Sequence, residues 1–210
     1  MIEPQLNKSN LTKGAFSQIY DNEDFILEKL FINKEIISNH QIEHPIIENC
    51  LFEKVTFEEN IFSRLEITDC IFVDCDFSNC DFNSSLIHRV KFTNCKMTGA
   101  SFIGSYLGNV VFKECLMNFT NFSDSKLKTI AFSKCILDSS DTVESSLIKT
   151  TFTECSLNQA NLTQTNLSKI DFSSCEFDTI DLNSEDIQGC RFNHFQVLYL
   201  AKKFLKVQIS

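Results

Sequence analysis

Ten cysteines and four histidines are the side chains of this sequence with the most obvious capacity for chemistry. Cys70, Cys75 and Cys80 are evenly spaced, and a cluster of thiols can hold a soft metal ion or form disulfides. However, no CxxC or Cys/His spacing occurs, and no histidine has a partner at a spacing typical of a catalytic triad or a metal site. The sequence therefore predicts no metal, no cofactor and no catalytic residue, and we expect the protein not to be an enzyme.

The cysteine spacing belongs to a period of five that runs through most of the chain. Every fifth residue from Phe52 to Val197 gives 30 positions, 15 of them phenylalanine, and all except Thr142 are large and apolar. The column two residues earlier, from Cys50 to Phe195, holds mainly small residues and contains all ten cysteines. Neither an α-helix nor an ordinary strand buries a face with this period. We therefore interpret the cysteines as small buried side chains, and a disulfide between them as an oxidation artefact.

A second period, of twenty residues, lies within the first. Every twentieth residue from Phe52 to Phe192 is phenylalanine, and the column from Ile67 to Ile187 is aliphatic throughout. Four pentapeptides therefore make one coil, and like residues stack on like at strand spacing. We number the four faces of the coil by the columns that start at Phe52 (first), Phe57 (second), Phe62 (third) and Ile67 (fourth).

Two segments carry a known repeat pattern almost intact: residues 160–164 (ANLTQ) and residues 80–84 (CDFNS) nearly match A(D/N)LXX. The chain thereby resembles the pentapeptide repeat family, in which the large and small columns point into a helix of square section. This resemblance implies an all-β solenoid, a right-handed quadrilateral β-helix of pentapeptide repeats, to which the sequence adds a short C-terminal helix. About seven coils at ~4.8 Å each would form a rod about 35 Å long.

The segments outside the repeat lead to four predicted regions. We expect an N-terminal arm over residues 1–24, loosely attached over its first twenty, and degenerate first coils that cap the rod over residues 25–49. The β-helix follows over residues 50–192, and a capping and dimerisation helix with a short strand over residues 193–210.

Two positions within this scheme are irregular. In residues 25–49 the apolar column keeps its phase, but Glu35, His40 and Pro45 occupy positions that should be small, and a short helix near residues 25–32 is the alternative. Thr142 interrupts the large apolar column and predicts a local bulge or weak spot.

The C-terminal segment reads as an amphipathic helix over residues 193–206. Asn193 and Gln196 resemble a capping box, and Val207 to Ile209 could follow as a short strand. The apolar stripe either covers the last coil or forms a two-fold interface. Gyrase-binding pentapeptide proteins, which the chain resembles, dimerise through a C-terminal helix, so we expect a homodimer. The predicted interface residues are Phe195, Val197, Leu198, Leu200, Ala201, Phe204 and Leu205.

The net charge of the chain disfavours polyanionic partners. Its 28 acidic and 19 basic side chains give a net charge of −9, which disfavours direct binding to nucleic acid or to an acidic membrane surface. No secretory signal and no apolar segment of membrane-spanning length is present, so we expect a cytoplasmic protein.

The twenty-residue register sorts the charges by face. The second and third faces are strongly acidic, whereas the first and fourth are close to balanced. We predict that the acidic faces bind a protein partner. The predicted partner-binding residues are Glu58, Asp76, Asp81, Asp124, Asp138, Asp141, Glu144, Glu176, Asp178 and Asp181.

A stiff rod with an acidic side resembles duplex DNA, so a groove built for DNA could accept it. The resemblance to the Qnr and MfpA class implies a DNA mimic that binds DNA gyrase or topoisomerase IV, inhibiting the enzyme or protecting it from quinolones or related toxins. Quinolone-protecting members often carry looped insertions, and none occurs between Cys50 and Val197, so binding is favoured over protection. The alternative is a structural scaffold that binds another regulatory protein.

Overall fold

The computed structural model of the protein describes residues 1–208. These residues form a parallel β-solenoid of about eight turns with one short C-terminal helix, α1 (His194–Leu205), which confirms the predicted fold class. Two short 3₁₀-helices precede the coils, at Lys8–Asn10 and Phe16–Tyr20.

The strands are short and pair in parallel. From Ile26 onward each strand pairs with the strand one coil away in a register of twenty residues, whereas Thr12 of the N-terminal segment pairs with Leu30. In chain order, β1 to β18 are Thr12–Lys13, Ile26–Glu28, Leu30–Asn33, Ile36–Ser38, Gln41–Glu43, Ile46–Glu48, Leu51–Glu53, Thr56–Glu58, Ile61–Ser63, Glu66–Thr68, Ile71–Val73, Leu86–Thr93, Tyr106–Lys113, Lys126–Ser133, Ser146–Ile148, Thr151–Thr153, Ala160–Asn161 and Ile180–Asp181.

The corners of the coil explain the period of five. Every fifth residue from Lys29 to Lys169 lies in the left-handed region, with φ between 51° and 72°. This conformation bends the chain from one side of the square to the next, and it favours glycine, asparagine and aspartate over bulky residues. Since no corner is displaced by a residue over this length, no insertion interrupts the coils between these positions.

Stacked aromatic rings fill the interior. Phe112 and Phe132 lie one coil apart with ring centroids 5.1 Å apart and planes 6° apart, and both are buried. Rings on neighbouring faces meet edge to face, as Phe112 and Phe122 do at 6.3 Å and 69°. Each buried ring removes a large apolar area from water, and both offset-stacked and edge-to-face arrangements are favourable for aromatic pairs.

The column of small residues ties successive coils together. Ser125 Oγ donates to the carbonyl of Phe102 at 2.6 Å, and Cys135 Sγ lies 3.3 Å from the carbonyl of Phe112. Small side chains predominate at these positions, and where the side chain is a hydroxyl or thiol, its polar atom commonly finds a partner in the neighbouring coil. This accounts for serine, threonine and cysteine in the column without any metal or disulfide.

The N-terminal 49 residues are more ordered than the sequence suggested. Residues 26–48 form regular strands, so the alternative of a short helix near residues 25–32 is wrong. Two of the misfit side chains, Glu35 and His40, meet the N-terminal segment. Glu35 accepts a hydrogen bond from the backbone N–H of Phe16 at 3.1 Å, and His40 Nδ1 lies 2.6 Å from the hydroxyl of Tyr20.

The first 20 residues differ from the predicted loosely attached arm. Phe16 and Ile19 are buried and close the open end of the first coil, because exposed strand edges and apolar rings there need a cover. Upstream, the backbone N–H of Gln5 donates to Asp69 at 2.8 Å and that of Ile2 donates to Asn109 at 3.0 Å. The segment therefore lies along the corner between the fourth and first faces.

Thr142 does not produce the predicted bulge. Asp141 pairs with Asn121 in one neighbouring coil and with Asn161 in the other, so the ladder is continuous. The defect is instead one of packing: Thr142 borders an enclosed void of about 10 Å³, lined mainly by phenylalanine and leucine side chains. The backbone is irregular later: the N–H of Gln159 bonds to the carbonyl of Thr179, and the left-handed corners are interrupted after Lys169 and return at Gly189, where φ is 77°.

We expect Thr142→Leu to stabilise the protein by about 1 kcal/mol, because leucine restores the apolar column and fills the void. Thermal unfolding should then show a Tm increase of about 2–4 °C. Leu162→Thr makes the reverse change one coil later and should cost about 1–3 kcal/mol. A lower Tm for Thr142→Leu would show that the void cannot accept the larger side chain.

Candidate protein-binding surface

The ten predicted acidic residues lie outside the coil on two adjacent faces. All are exposed or half-buried, because each occupies a position of the pentapeptide that points away from the core or forms a corner. The second face carries Glu58, Asp76, Asp138, Glu176 and Asp178, and the third carries Asp81, Asp124, Asp141, Glu144 and Asp181. The structure thus brings all ten to one side of the rod, which we call the acidic surface.

Two carboxylates of the acidic surface are neutralised by lysine. Asp76 lies 3.2 Å from Lys96 in the next coil, and Asp181 lies 2.8 Å from Lys203 of α1. Burial alone would raise the pKa of Asp76, but hydrogen bonds from Ser78 and Lys96 outweigh it and hold the pKa below its ordinary value. Over residues 1–208, the other eight carboxylates have no basic side chain within 4.0 Å.

Three of those eight carboxylates are fixed by local hydrogen bonds. Asp138 accepts from the hydroxyl of Ser156 at 2.5 Å and from the backbone N–H of Asn158 at 3.0 Å. Asp81 accepts from the backbone of Asn83, and Asp141 from the side chain of Asn161. The remaining carboxylates make no hydrogen bond to any described residue, so they are free to meet a partner: Glu58, Asp124, Glu144, Glu176 and Asp178.

Counting the eight carboxylates without a basic partner, the charge density of the acidic surface is about two-fifths that of DNA. Duplex DNA carries one negative charge per ~1.7 Å, hence about 20 charges over a length of about 35 Å. The rod displays its carboxylates over the same length. The rod concentrates its charge on two faces, whereas DNA distributes it around the axis. Such a one-sided field can attract and orient a positively charged protein groove.

Metal ligands, thiols and clefts are the other features of the described structure that could support chemistry. No group of three or more His, Cys, Asp or Glu side chains that could hold a metal ion occurs within residues 1–208. Nine of the ten cysteines are buried and all are free. At Cys80, burial raises the pKa of the thiol to about 12, which opposes thiolate formation at that residue. An open groove of about 370 Å³ on the second face is lined by Glu58, Glu59 and Asp76 among others and belongs to the acidic surface. Within the same residues, no helix is long and apolar enough to cross a membrane.

The helix α1 covers the last coil with one side. The predicted capping box is present, with Asn193 accepting from the backbone of Gln196 and the Gln196 side chain accepting from the backbone of Asn193. Gln196 also donates to the carbonyls of Phe172 at 3.0 Å and Cys175 at 2.8 Å. These two carbonyls of the last coil thereby gain hydrogen-bond partners. Leu200 is buried against the last coil.

The predicted interface residues therefore divide into two groups. Leu200 is part of the monomer core, and Ala201 and Phe204 are half-buried. The outer side of α1 exposes a second apolar group: Phe195, Val197, Leu198 and Leu205. The predicted strand at Val207 to Ile209 is absent at residues 207 and 208, and Ile209 lies outside the described residues.

The comparison with protein families agrees with this architecture. The family described as "Pentapeptide repeat region" matches residues 45–102, 85–147 and 128–201. The chain belongs to the pentapeptide repeat family.

Among solved structures, the chain is similar to QnrB1, described as a plasmid-mediated fluoroquinolone resistance protein, at 17% identity over 86% of this chain and 99% of that one, with a TM-score of 0.41. It is also similar to Rfr23 from the cyanobacterium Cyanothece, at 13% identity over 56% of this chain and 91% of that one, with a TM-score of 0.37. HetL, a protein involved in heterocyst differentiation regulation from the cyanobacterium Nostoc, matches at 12% identity over 80% of this chain and 85% of that one, with a TM-score of 0.34. No curated protein matches the sequence.

Proposed function

We propose that the protein binds type II topoisomerase as a mimic of duplex DNA and inhibits DNA gyrase, topoisomerase IV or both. The observation that carries the proposal is the acidic surface, in which eight carboxylates without a basic partner share one side of a rigid rod. A DNA-binding groove lined with lysine and arginine would bind these carboxylates with little loss of conformational entropy, because the backbone hydrogen bonds between coils already hold the rod in shape.

The proposal includes a two-fold dimer formed through the outer side of α1. Exposed apolar side chains that lie together at the end of a rod favour burial against a second copy. A dimer would extend the rod and double the length of acidic surface offered to a partner that is itself two-fold symmetric.

A supercoiling assay tests the proposed function. Purified gyrase and topoisomerase IV should lose activity at micromolar concentrations of this protein, and the assay is repeated with ciprofloxacin. Fewer drug-stabilised breaks would show protection as well as inhibition. If neither enzyme's activity nor its drug sensitivity changes, the topoisomerase proposal is wrong, and the scaffold alternative becomes the one to pursue.

A further inference from the structure

One corner of the rod carries a phenylalanine where all its counterparts are polar or glycine. Phe119 occupies the corner between the second and third faces, and its side chain is 65% exposed. Along the corner column from Lys54 to Thr179, taken at every fifth residue, it is the one apolar residue. Its neighbours in the same corner one coil away are Gly99 and Ser139.

This phenylalanine is unfavourable for the fold in two ways. Its φ of 59° lies in the left-handed region, which a bulky side chain adopts at a cost. Its ring also remains largely in water, so the burial that stabilises the other phenylalanines is lost. The sequence pattern alone places Phe119 outside the coil, since it falls two residues after Met117, and the out-of-place aromatic is the signal that sequence reasoning overlooked.

Nothing in the local structure requires an aromatic ring there. The backbone N–H of Phe119 donates to the carbonyl of Asp138 at 3.1 Å, as the N–H of Asp124 does to Val143 at the next corner. That bond is available to any residue with this backbone conformation. Side chains that are retained although they destabilise the fold commonly serve function.

Phe119 is accompanied by two other exposed apolar side chains on the second face. Leu116 and Ile136 are 43% and 37% exposed, and they pair directly across adjacent coils. Lys96 and Ser156 pair with this group in the coils on either side, and carboxylates of the same face lie beside or just beyond it, at Asp76, Asp138 and Glu176. Protein interfaces often combine an aromatic anchor with surrounding charged residues.

We propose that Phe119, with Leu116 and Ile136, is the anchor of the acidic surface and inserts into an apolar pocket bordered by lysine or arginine on the topoisomerase. This inference rests on the proposed function and adds a specific contact to it. The acidic rim selects a basic protein surface, because nucleic acid and the acidic surface of a second copy would both be repelled. The apolar centre gives the contact a part that salt does not screen.

The test replaces Phe119 and measures stability and binding together. Phe119→Asn preserves the charge and introduces a residue that tolerates the left-handed corner, so Tm should rise by a few degrees. Its affinity for immobilised gyrase or topoisomerase IV should fall at least about tenfold. Phe119→Tyr keeps the ring and should bind within about threefold of the wild type. Thr129→Asn, at the diagonally opposite corner between the fourth and first faces, also leaves the charge unchanged and is the matched control that should leave binding unchanged.

Three results would overturn the inference, and they identify different failures. A lower Tm for Phe119→Asn would show that the ring serves the fold. Unchanged binding by Phe119→Asn, together with loss of binding when carboxylates of the acidic surface are reversed to lysine, would leave the proposed function intact and remove the anchor. A wild-type protein that binds neither enzyme would overturn both.

Discussion

Reversal of four carboxylates on the acidic surface should reduce binding to the topoisomerase by at least about 100-fold, or about 2.7 kcal/mol. The variant combines Glu58→Lys, Asp124→Lys, Glu144→Lys and Glu176→Lys. These side chains make no hydrogen bond to any described residue. Lysine already occupies equivalent positions elsewhere in the coils, at corners 54 and 134 for Asp124 and Glu144 and at 113 and 96 for Glu58 and Glu176, so the coils should remain intact. Binding is measured by surface plasmon resonance at several salt concentrations, and circular dichroism checks the fold.

The first face supplies a matched control for this variant. Glu53→Lys, Asp74→Lys, Glu114→Lys and Glu154→Lys together raise the net charge of −9 by the same eight units. If position on the acidic surface matters, this control should lose at most about tenfold, through long-range attraction alone. Equal losses in the two variants would show that net charge, and not the acidic surface, controls binding.

Leu198→Asp combined with Leu205→Asp should convert the proposed dimer to a monomer. Both side chains lie on the outer side of α1, with exposures of 42% and 70%, so the substitutions place charges in the interface without disturbing the last coil. Light scattering should report a particle of 24.1 kDa in place of twice that mass. Unfolding of the monomer should no longer depend on protein concentration.

The control for the dimer adds the same charge elsewhere. Gln159→Asp with Gln164→Asp changes two exposed corners and should leave the dimer intact. Leu200 is unsuitable for this purpose, because it is buried against the last coil and its replacement by aspartate would detach the helix. Wild-type protein that scatters as a monomer, or a dimer that persists in the double variant, would contradict the interface.

The coils were predictable because their geometry is local and repeated. A corner in the left-handed region every five residues places the same side-chain position inside on every face, so the phenylalanine column reports the fold directly. Phe16 and Ile19 were not predictable in this way, since they close the end of the rod from a segment outside the repeat. The prediction of a bulge at Thr142 was wrong because a packing void costs less free energy than the loss of backbone hydrogen bonds between coils. The ladder therefore stays continuous and the void remains.

The sequence predicted which face of the rod carries each carboxylate, but not which carboxylates lack a partner. Register alone assigns each carboxylate to a side of the rod. Whether a carboxylate is free depends on neighbours that register does not reveal: Lys203 reaches Asp181 only because α1 docks on the last coil. The division of α1 into a buried and an outer side has the same origin, since a stripe that covers the coil and one that remains exposed look alike in sequence.

Competition with DNA tests the central claim most directly. A fluorescently labelled duplex is bound to gyrase, and the protein is added while anisotropy is recorded, with the control variant of the first face in parallel. We predict that the wild type and that control displace the duplex at micromolar concentration, and that the variant with Glu58, Asp124, Glu144 and Glu176 reversed does not. A wild-type protein that binds gyrase while the duplex stays bound would contradict the claim that its acidic surface occupies the DNA-binding groove.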